Sequence, residues 1–172
     1  MSMIRQGDGA ADAEAGDAGL RLDSYLPYRL SVASNAVSGL IARAYEDRFG
    51  LTVPQWRVIC VLAEDGGLTQ VQVVARTVMD KVTVSRAAQG LSKRRLVTRA
   101  ENKADGRSHV LDLTPEGRRL YAEIAPLAMA YEAALIAGLS PDDVALLKRL
   151  LGRLQTAAGQ LAGEAPSSPS LR

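Results

Sequence analysis

The stretch LTQVQVVARTVMDKVTVSRAAQGLSKRRLV (Leu68–Val97) contains two helical patterns separated by a short break. The first begins at Thr69, and Gln72 follows three residues later, which is the spacing of a capping box that satisfies backbone N–H groups at a helix start. This first helix is expected to run only to about Thr77. The second starts near Asp80 and extends through KVTVSRAAQGLSKR (81–94). A short helix, a tight turn and another helix predict a helix-turn-helix.

The second helix of this stretch has two faces of different character. On a helical wheel, four apolar residues share one face, which we expect to be buried. The opposite face carries Arg and Gln, which can read guanine and adenine edges in a major groove, and Thr and Lys, which suit phosphate or methyl contacts. A solvated polar face on an ordinary helix is the alternative. The apolar face comprises Val84, Ala87, Ala88 and Leu91, and the candidate DNA contacts are Thr69, Lys81, Val82, Thr83, Ser85, Arg86, Gln89 and Lys93.

The residues that follow predict a β-hairpin. Residues 96–101 (LVTRAE) and 109–113 (HVLDL) alternate in the manner of strands, and Asp105-Gly106 between them tolerates the positive φ angles of a hairpin turn. A thin ribbon with a cationic tip can enter a narrow minor groove, where the electrostatic potential favours Arg. A helix-turn-helix followed directly by such a hairpin is a winged helix. Its wing adds three candidate DNA contacts, namely Arg99, Lys103 and Arg107.

The charge distribution favours a polyanionic partner. The formal net charge of the 172 residues is +2, but the segment from Arg76 to Arg119 holds 11 Lys or Arg against 5 Asp or Glu, a local +6 that leaves −4 for the remainder. Such segregation is typical of DNA-binding proteins. A single His and a single Cys cannot form a zinc site, and neither a phosphate-binding Gly loop nor a catalytic acid pair stands out. We therefore expect no cofactor, no metal and no enzymatic activity.

Long helical patterns lie on both sides of the winged helix. Before it, residues 26–49 repeat apolar residues at three-to-four-residue steps, and TVPQWRVICVLAE (52–64) predicts a second helix with Pro54 at its start. After it, Thr114 caps a helix that runs to about Ala137, and Ser140 begins a last helix with a leucine ridge. The ridge consists of Leu147, Leu150, Leu151 and Leu154.

These patterns predict one mainly α domain with a tail at each end. Residues 1–20 and 162–172 bury too little apolar surface to offset the entropy of ordering them, so we expect both to be disordered. Within residues 21–161, a winged helix-turn-helix lobe with a two-stranded wing (about 52–113) is flanked by helices of a dimerisation region (about 26–48 and 115–161). The alternative is that the leucine-rich helices pack within their own monomer. No secretion signal or membrane-spanning pattern is present, which predicts a cytoplasmic protein.

The stretch DGRSHVLDLTPEGRRL (Asp105–Leu120) resembles the MarR family of bacterial transcriptional regulators, in which an Asp-x-Arg wing tip precedes a strand, Leu-Thr and a Gly in the next helical turn. The resemblance extends from about Leu26 to Leu161. It implies a homodimer on a pseudo-palindromic DNA operator, usually a repressor that a small molecule releases. One departure is Arg95, where many members have Gly. A left-handed conformation there would cost a non-Gly residue about 1 kcal/mol, unless this helix end is shaped differently.

The resemblance also implies an effector site between the dimer base and the winged helix. We expect the effector to be a small aromatic carboxylate or its CoA thioester. Two alternatives remain open: a redox-responsive repressor switched through Cys60, and a helical protein-interaction module without DNA binding. For the candidate ligand residues, the ordinary interpretations are a core tryptophan, surface arginines and a half-exposed strand histidine. The candidates are Arg29, Ser34, Ser38, Trp56, Arg57 and His109.

Overall fold

The structure is a computed structural model that describes residues 19–102 and 108–164. The predicted wing tip, with Lys103 and Arg107, and most of both predicted tails lie outside the described residues. The chain divides into two units, one up to Leu40 and one from Ile41 onward. In chain order the elements are α1 (Leu26–Phe49), α2 (Val53–Asp65), β1 (Leu68–Thr69), α3 (Gln70–Thr77), α4 (Lys81–Lys93), β2 (Val97–Glu101), β3 (His109–Leu113), α5 (Pro115–Ile136) and α6 (Pro141–Glu164).

The N-terminal unit holds the beginning of α1. A turn precedes the helix, in which the backbone N–H and the hydroxyl of Ser24 both donate to the Arg21 carbonyl at 3.2 Å. The predicted start of α1 at Leu26 is confirmed. Residues 19–36 are exposed.

Side-chain caps fix the starts of the helices in the second unit. Thr52 and Gln55 form a capping box at α2, with N···O distances of 3.0 and 3.4 Å. Thr69 and Gln72 form the predicted box at α3, with distances of 2.8 and 3.3 Å. Asp80 caps α4 by accepting from the backbone N–H of Thr83 at 2.8 Å. The predicted short helix, turn and second helix are therefore confirmed.

The core of the second unit is built mainly from α2, α4 and the sheet. The four apolar residues predicted for the inner face of α4 are all buried, as are Trp56, Ile59 and Leu62 of α2. Sequence periodicity missed Val58 and Tyr45, which are also buried. Tyr45 lies near the end of α1 and packs on Trp56, with ring centroids 5.2 Å apart.

The predicted hairpin is confirmed, but it belongs to a three-stranded antiparallel sheet in the order β1-β3-β2. In the hairpin, Val97 pairs with Leu113 and Glu101 pairs with His109. The additional strand, β1, pairs Leu68 with Leu111. Two residues are too few to show the alternation by which a strand is recognised in a sequence.

The Leu-Thr and Gly pattern that resembles the MarR family lies at the junction between the hairpin and α5, where Thr114 and Gly117 each have a structural role. The Thr114 hydroxyl accepts from the backbone N–H of Gly117 at 3.0 Å and donates to the carbonyl of Arg95 at 2.8 Å. A Cβ at Gly117 would lie only 2.1 Å from the Leu96 carbonyl oxygen. Only glycine allows α5 to approach the end of α4 this closely.

Arg95 adopts the left-handed conformation, with φ of 60°. The backbone N–H of Leu96 donates to the Leu91 carbonyl at 3.0 Å, and that of Arg95 to the Ser92 carbonyl at 2.9 Å. These two bonds are those of a Schellman motif, which satisfies the last carbonyls of a helix. Arg95 therefore carries the left-handed backbone strain that was expected if this position adopts positive φ. Val78, in the turn before α4, is a second non-Gly residue in this conformation, with φ of 54°.

The last two helices are joined by residues 137–140 and differ in direction by 106°. The start of α6 at Ser140 is confirmed by its reciprocal hydrogen bonds with Asp143. The helix continues to Glu164, so the predicted tail boundary at residue 161 lies too early. All the Pro and Ser residues of the predicted tail follow Glu164 in the sequence, and residues 162–164 contain none. No single helix among the described residues is both long and apolar enough to span a membrane.

Candidate nucleic-acid interface

The outward face of α4 is exposed, as its pattern predicts. Val82, Arg86, Gln89 and Lys93 occupy successive turns of this face, and all four side chains are exposed. Gln89 donates to the hydroxyl of Ser85 at 3.4 Å, which orients its amide along the helix. Polar side chains of this kind, at this spacing, can reach base edges and flanking phosphates in a major groove.

The side chains of Asp80 and Thr83 are both used to cap the start of α4. The Thr83 hydroxyl donates to Asp80 at 2.6 Å, and the backbone N–H of Thr83 donates to the same carboxylate. These hydrogen bonds lower the pKa of Asp80. The Thr69 hydroxyl is likewise used at the start of α3. Thr69 and Thr83, both candidate DNA contacts, therefore also position the helices.

The hairpin brings a second cationic element beside α4. The guanidinium of Arg99 on β2 lies 3.3 Å from Nδ1 of His109 on β3. Both residues line a recess of about 320 Å³ together with Ser85, Gln89 and Lys93 of α4. They also line a second recess of about 370 Å³, whose other walls include Thr69, Gln70, Val71 and Lys81. Six of the predicted DNA contacts thus line two neighbouring recesses.

Ion pairs and hydrogen bonds show which basic side chains are held by other groups of the protein and which are available to contact DNA. Arg76 pairs with Asp65 at 2.5 Å, Arg118 pairs with Asp112 at 2.9 Å, and Arg119 pairs with Glu116. Sequence reasoning missed the structural role of Arg94, which donates to the carbonyls of Phe49 and Gly50 at 2.9 and 2.8 Å. Within the part of the chain that the structure describes, no ion pair involves Lys81, Arg86, Lys93 or Arg99.

The candidate ligand residues of the second unit do not lie together. Trp56 is a core residue whose ring lies between Tyr45 and Tyr121, with centroids 5.2 and 5.8 Å away. Arg57, next in the chain, is exposed. His109 lines the two recesses beside α4, and neither of these includes Trp56 or Arg57. His109 is therefore placed at the candidate nucleic-acid interface.

The remaining ligand candidates belong to the N-terminal unit. Arg29 and Ser34 on α1 are exposed, and Ser38 is half-buried. Their role in effector binding stays a prediction.

Cys60 lies on α2 and is half-buried. Burial, together with the nearby carboxylate of Glu64, raises the pKa of its thiol to about 12. The reactive form of cysteine is the thiolate, so this environment suppresses its reactivity near neutral pH.

Sequence reasoning also missed two residues of the interface, Gln70 and Val71. Both line the larger recess, and Val71 is exposed on α3. Their position depends on the packing of α3 beside the hairpin, which no local sequence pattern indicates. The one available signal was their position directly after the Thr69 cap.

Comparison with known proteins shows which family this chain is similar to. The sequence model of the MarR family matches residues 49–108. A MarR family transcriptional regulator from Silicibacter pomeroyi DSS is 30% identical, with a TM-score of 0.70 over 80% of this chain and 91% of that one.

Two further relatives are similar at a lower identity. BpsR of Bordetella bronchiseptica, whose DNA binding is regulated by 6-hydroxynicotinic acid, is 29% identical, with a TM-score of 0.69 over 75% of this chain and 97% of that one. The transcriptional regulator HosA of Escherichia coli O111:H- is 28% identical over 62% of this chain and 79% of its own. The chain belongs to the MarR family of DNA-binding transcriptional regulators, which are not enzymes.

Proposed function

We propose that the protein is a repressor that binds a pseudo-palindromic operator as a homodimer. The observation that carries this proposal is the joint exposure of Arg86, Gln89 and Lys93 on α4 beside Arg99 on the hairpin. In this arrangement α4 enters the major groove and the wing follows the adjacent minor groove. A chromosomal regulator of this kind acts in the cytoplasm.

The proposed homodimer is supported by the last helix. The four leucines of the α6 ridge remain 39–46% exposed in the single chain. A row of exposed leucines along one helix is typical of an interface between subunits. A two-fold related pair of α4 helices then contacts two half-sites about one helical turn of DNA apart.

The proposed effector is a small aromatic carboxylate or its CoA thioester. This proposal rests on the regulation of BpsR by 6-hydroxynicotinic acid, which is itself an aromatic carboxylic acid. In the second unit, the exposed Arg57 is the residue that we assign to effector recognition. Its guanidinium would pair with the carboxylate, since ligand pockets generally combine an apolar body with a few placed polar groups.

The effector lowers DNA affinity only by the difference between its affinities for the free and DNA-bound dimer. A tenfold release corresponds to about 1.4 kcal/mol of coupling. Titration calorimetry with benzoates, cinnamates and their CoA esters, with and without operator, measures this difference. Arg57→Ala should reduce the response, while the paired cation variant Arg119→Ala should leave it unchanged. If no member of the panel binds, the proposed effector class is wrong.

The redox alternative makes a different prediction. With a thiol pKa of about 12, Cys60 should react slowly with peroxide at neutral pH. Operator affinity that falls on mild oxidation and recovers with reductant, but not in Cys60→Ser, would replace the small-molecule account.

The DNA-binding part is tested by binding measurements at several salt concentrations. A site selected from random duplexes should be two-fold symmetric, and log K should fall steeply with log salt because phosphate contacts release counterions. Equal affinity for the selected site and random duplex, or a flat salt dependence, would exclude the proposed repressor.

A further inference from the structure

The helix-turn-helix exposes three valines to solvent. The exposed fraction is 76% for Val71 on α3, 84% for Val78 in the turn, and 58% for Val82 on α4. Exposed apolar side chains are not unusual singly, but Val82 occupies the face that otherwise carries only polar and charged residues. Its place on that face is one turn before Arg86.

The position of Val82 puts it at the end of α4 that approaches the bases. The N-terminal residues of a recognition helix contact base edges, and Val82 is the second residue of α4. Valine has no hydrogen-bonding group, and its χ1 angle is nearly fixed in a helix, so it presents two methyl groups in a defined direction. In the major groove, the apolar group on a base edge is the C5-methyl of thymine.

We propose that Val82 is a specificity-determining residue that packs on the methyl group of one thymine in each half-site. This inference rests on the proposed binding of α4 in the major groove. Contact with the methyl group removes the exposed Val82 side chain from water, which is the physical source of the preference. Lys81 before it and Arg86 after it supply charges for phosphate and base contacts and so hold the helix at the depth that this contact requires.

The other two valines do not meet the same conditions. Val71 lines the larger recess with Lys81 and Arg99, away from the outward face of α4. Val78 precedes α4 and its Asp80 cap, in the left-handed conformation. Val71 is thus a matched control, being the same residue type, more exposed and on the neighbouring helix.

The test removes methyl groups from the DNA. After a binding site has been selected from random duplexes, each thymine is replaced in turn by deoxyuridine, which keeps the hydrogen-bonding groups and lacks only the C5-methyl. For the wild-type protein, one substitution per half-site should weaken binding about fourfold, and the two together about 15-fold. Fluorescence anisotropy measures both values.

Protein variants then assign the effect to one side chain. Val82→Ser should bind the thymine and deoxyuridine duplexes equally, whereas Val82→Ile should keep the full wild-type difference. Val71 lines the recess beside α4, so Val71→Ser should change the affinity for both duplexes by the same factor and keep the wild-type difference between them. Because Val82 is exposed, Val82→Ser should melt at the wild-type temperature, so a change in binding reports on DNA contact.

Three results would overturn the inference. In the first, no thymine methyl group affects wild-type binding at a well-selected site. In the second, Val82→Ser retains the wild-type difference. In the third, Val71→Ser loses it as completely as Val82→Ser does. A failure to select any specific site would instead overturn the proposed function, and this inference with it.

Discussion

The helices α4 and α6 both carry an apolar stripe, but only the stripe of α4 is covered by other parts of the same chain. The stripe of α4 is buried against α2 and the sheet, whereas none of the α6 residues 141–163 is buried and the leucine ridge stays exposed. The sequence patterns of the two helices do not distinguish these outcomes, because periodicity reports that a face is apolar and not what covers it. The difference separates a lobe that is complete in one chain from a surface that a second chain covers in the proposed homodimer.

Deleting α6 from Ser140 onward should have the largest effect on this comparison. Loss of the leucine ridge should convert the dimer to a monomer or an aggregate, and DNA affinity should fall about 10²-fold or more because the two half-sites are no longer bound together. Light scattering after size-exclusion chromatography measures the mass. Removal of residues 165–172 alone is the control and should leave a dimer. A monomer with unchanged operator affinity after deletion of α6 would contradict the proposed dimerisation role.

The same residue type can be compared directly on the two helices. Leu91 on α4 is fully buried, so Leu91→Ala should lower the free energy of unfolding by about 2–5 kcal/mol at any protein concentration. Leu150→Ala on α6 should instead lower the denaturation midpoint mainly at the lower protein concentration, because it weakens association. Chemical denaturation of both variants at two concentrations measures this. If the stability of both variants depended on protein concentration in the same way, the proposed difference between the α4 and α6 stripes would be wrong.

The outward face of α4 should tolerate substitution without loss of stability. Arg86→Ala should relax discrimination at one base position by about 1–3 kcal/mol and leave the melting temperature unchanged. Arg119→Ala also removes one exposed cation, but Arg119 already pairs with Glu116, so base preference should stay the same. Competition binding against a set of single-base variants of the operator tests both. Equal effects would show that net charge, rather than base contact, governs binding.

These comparisons indicate what could be predicted from the sequence. Capping residues such as Thr69 and Thr114 act locally, so their spacing predicted the helix starts correctly. The strand Leu68–Thr69 and the role of Arg94 were missed because each depends on a partner more than 40 residues away in the chain. His109 was grouped with Trp56 for the same reason, since nothing local to either residue indicates which recess it faces.

The smallest expected effect concerns the two residues on either side of α4 that adopt a left-handed conformation, Val78 before the helix and Arg95 after it. Left-handed φ costs a non-Gly residue about 1–2 kcal/mol, and replacement by Gly regains this while adding about 0.5–1 kcal/mol of chain entropy to the unfolded state. Val78→Gly and Arg95→Gly should therefore raise the free energy of unfolding by up to about 1 kcal/mol, with the larger gain at Val78 because its side chain is β-branched. Val71→Gly is the control, since Val71 lies inside α3 and should be destabilised by a similar amount. If Val78→Gly lost stability as Val71→Gly does, side-chain contacts rather than backbone conformation would determine the stability of the turn.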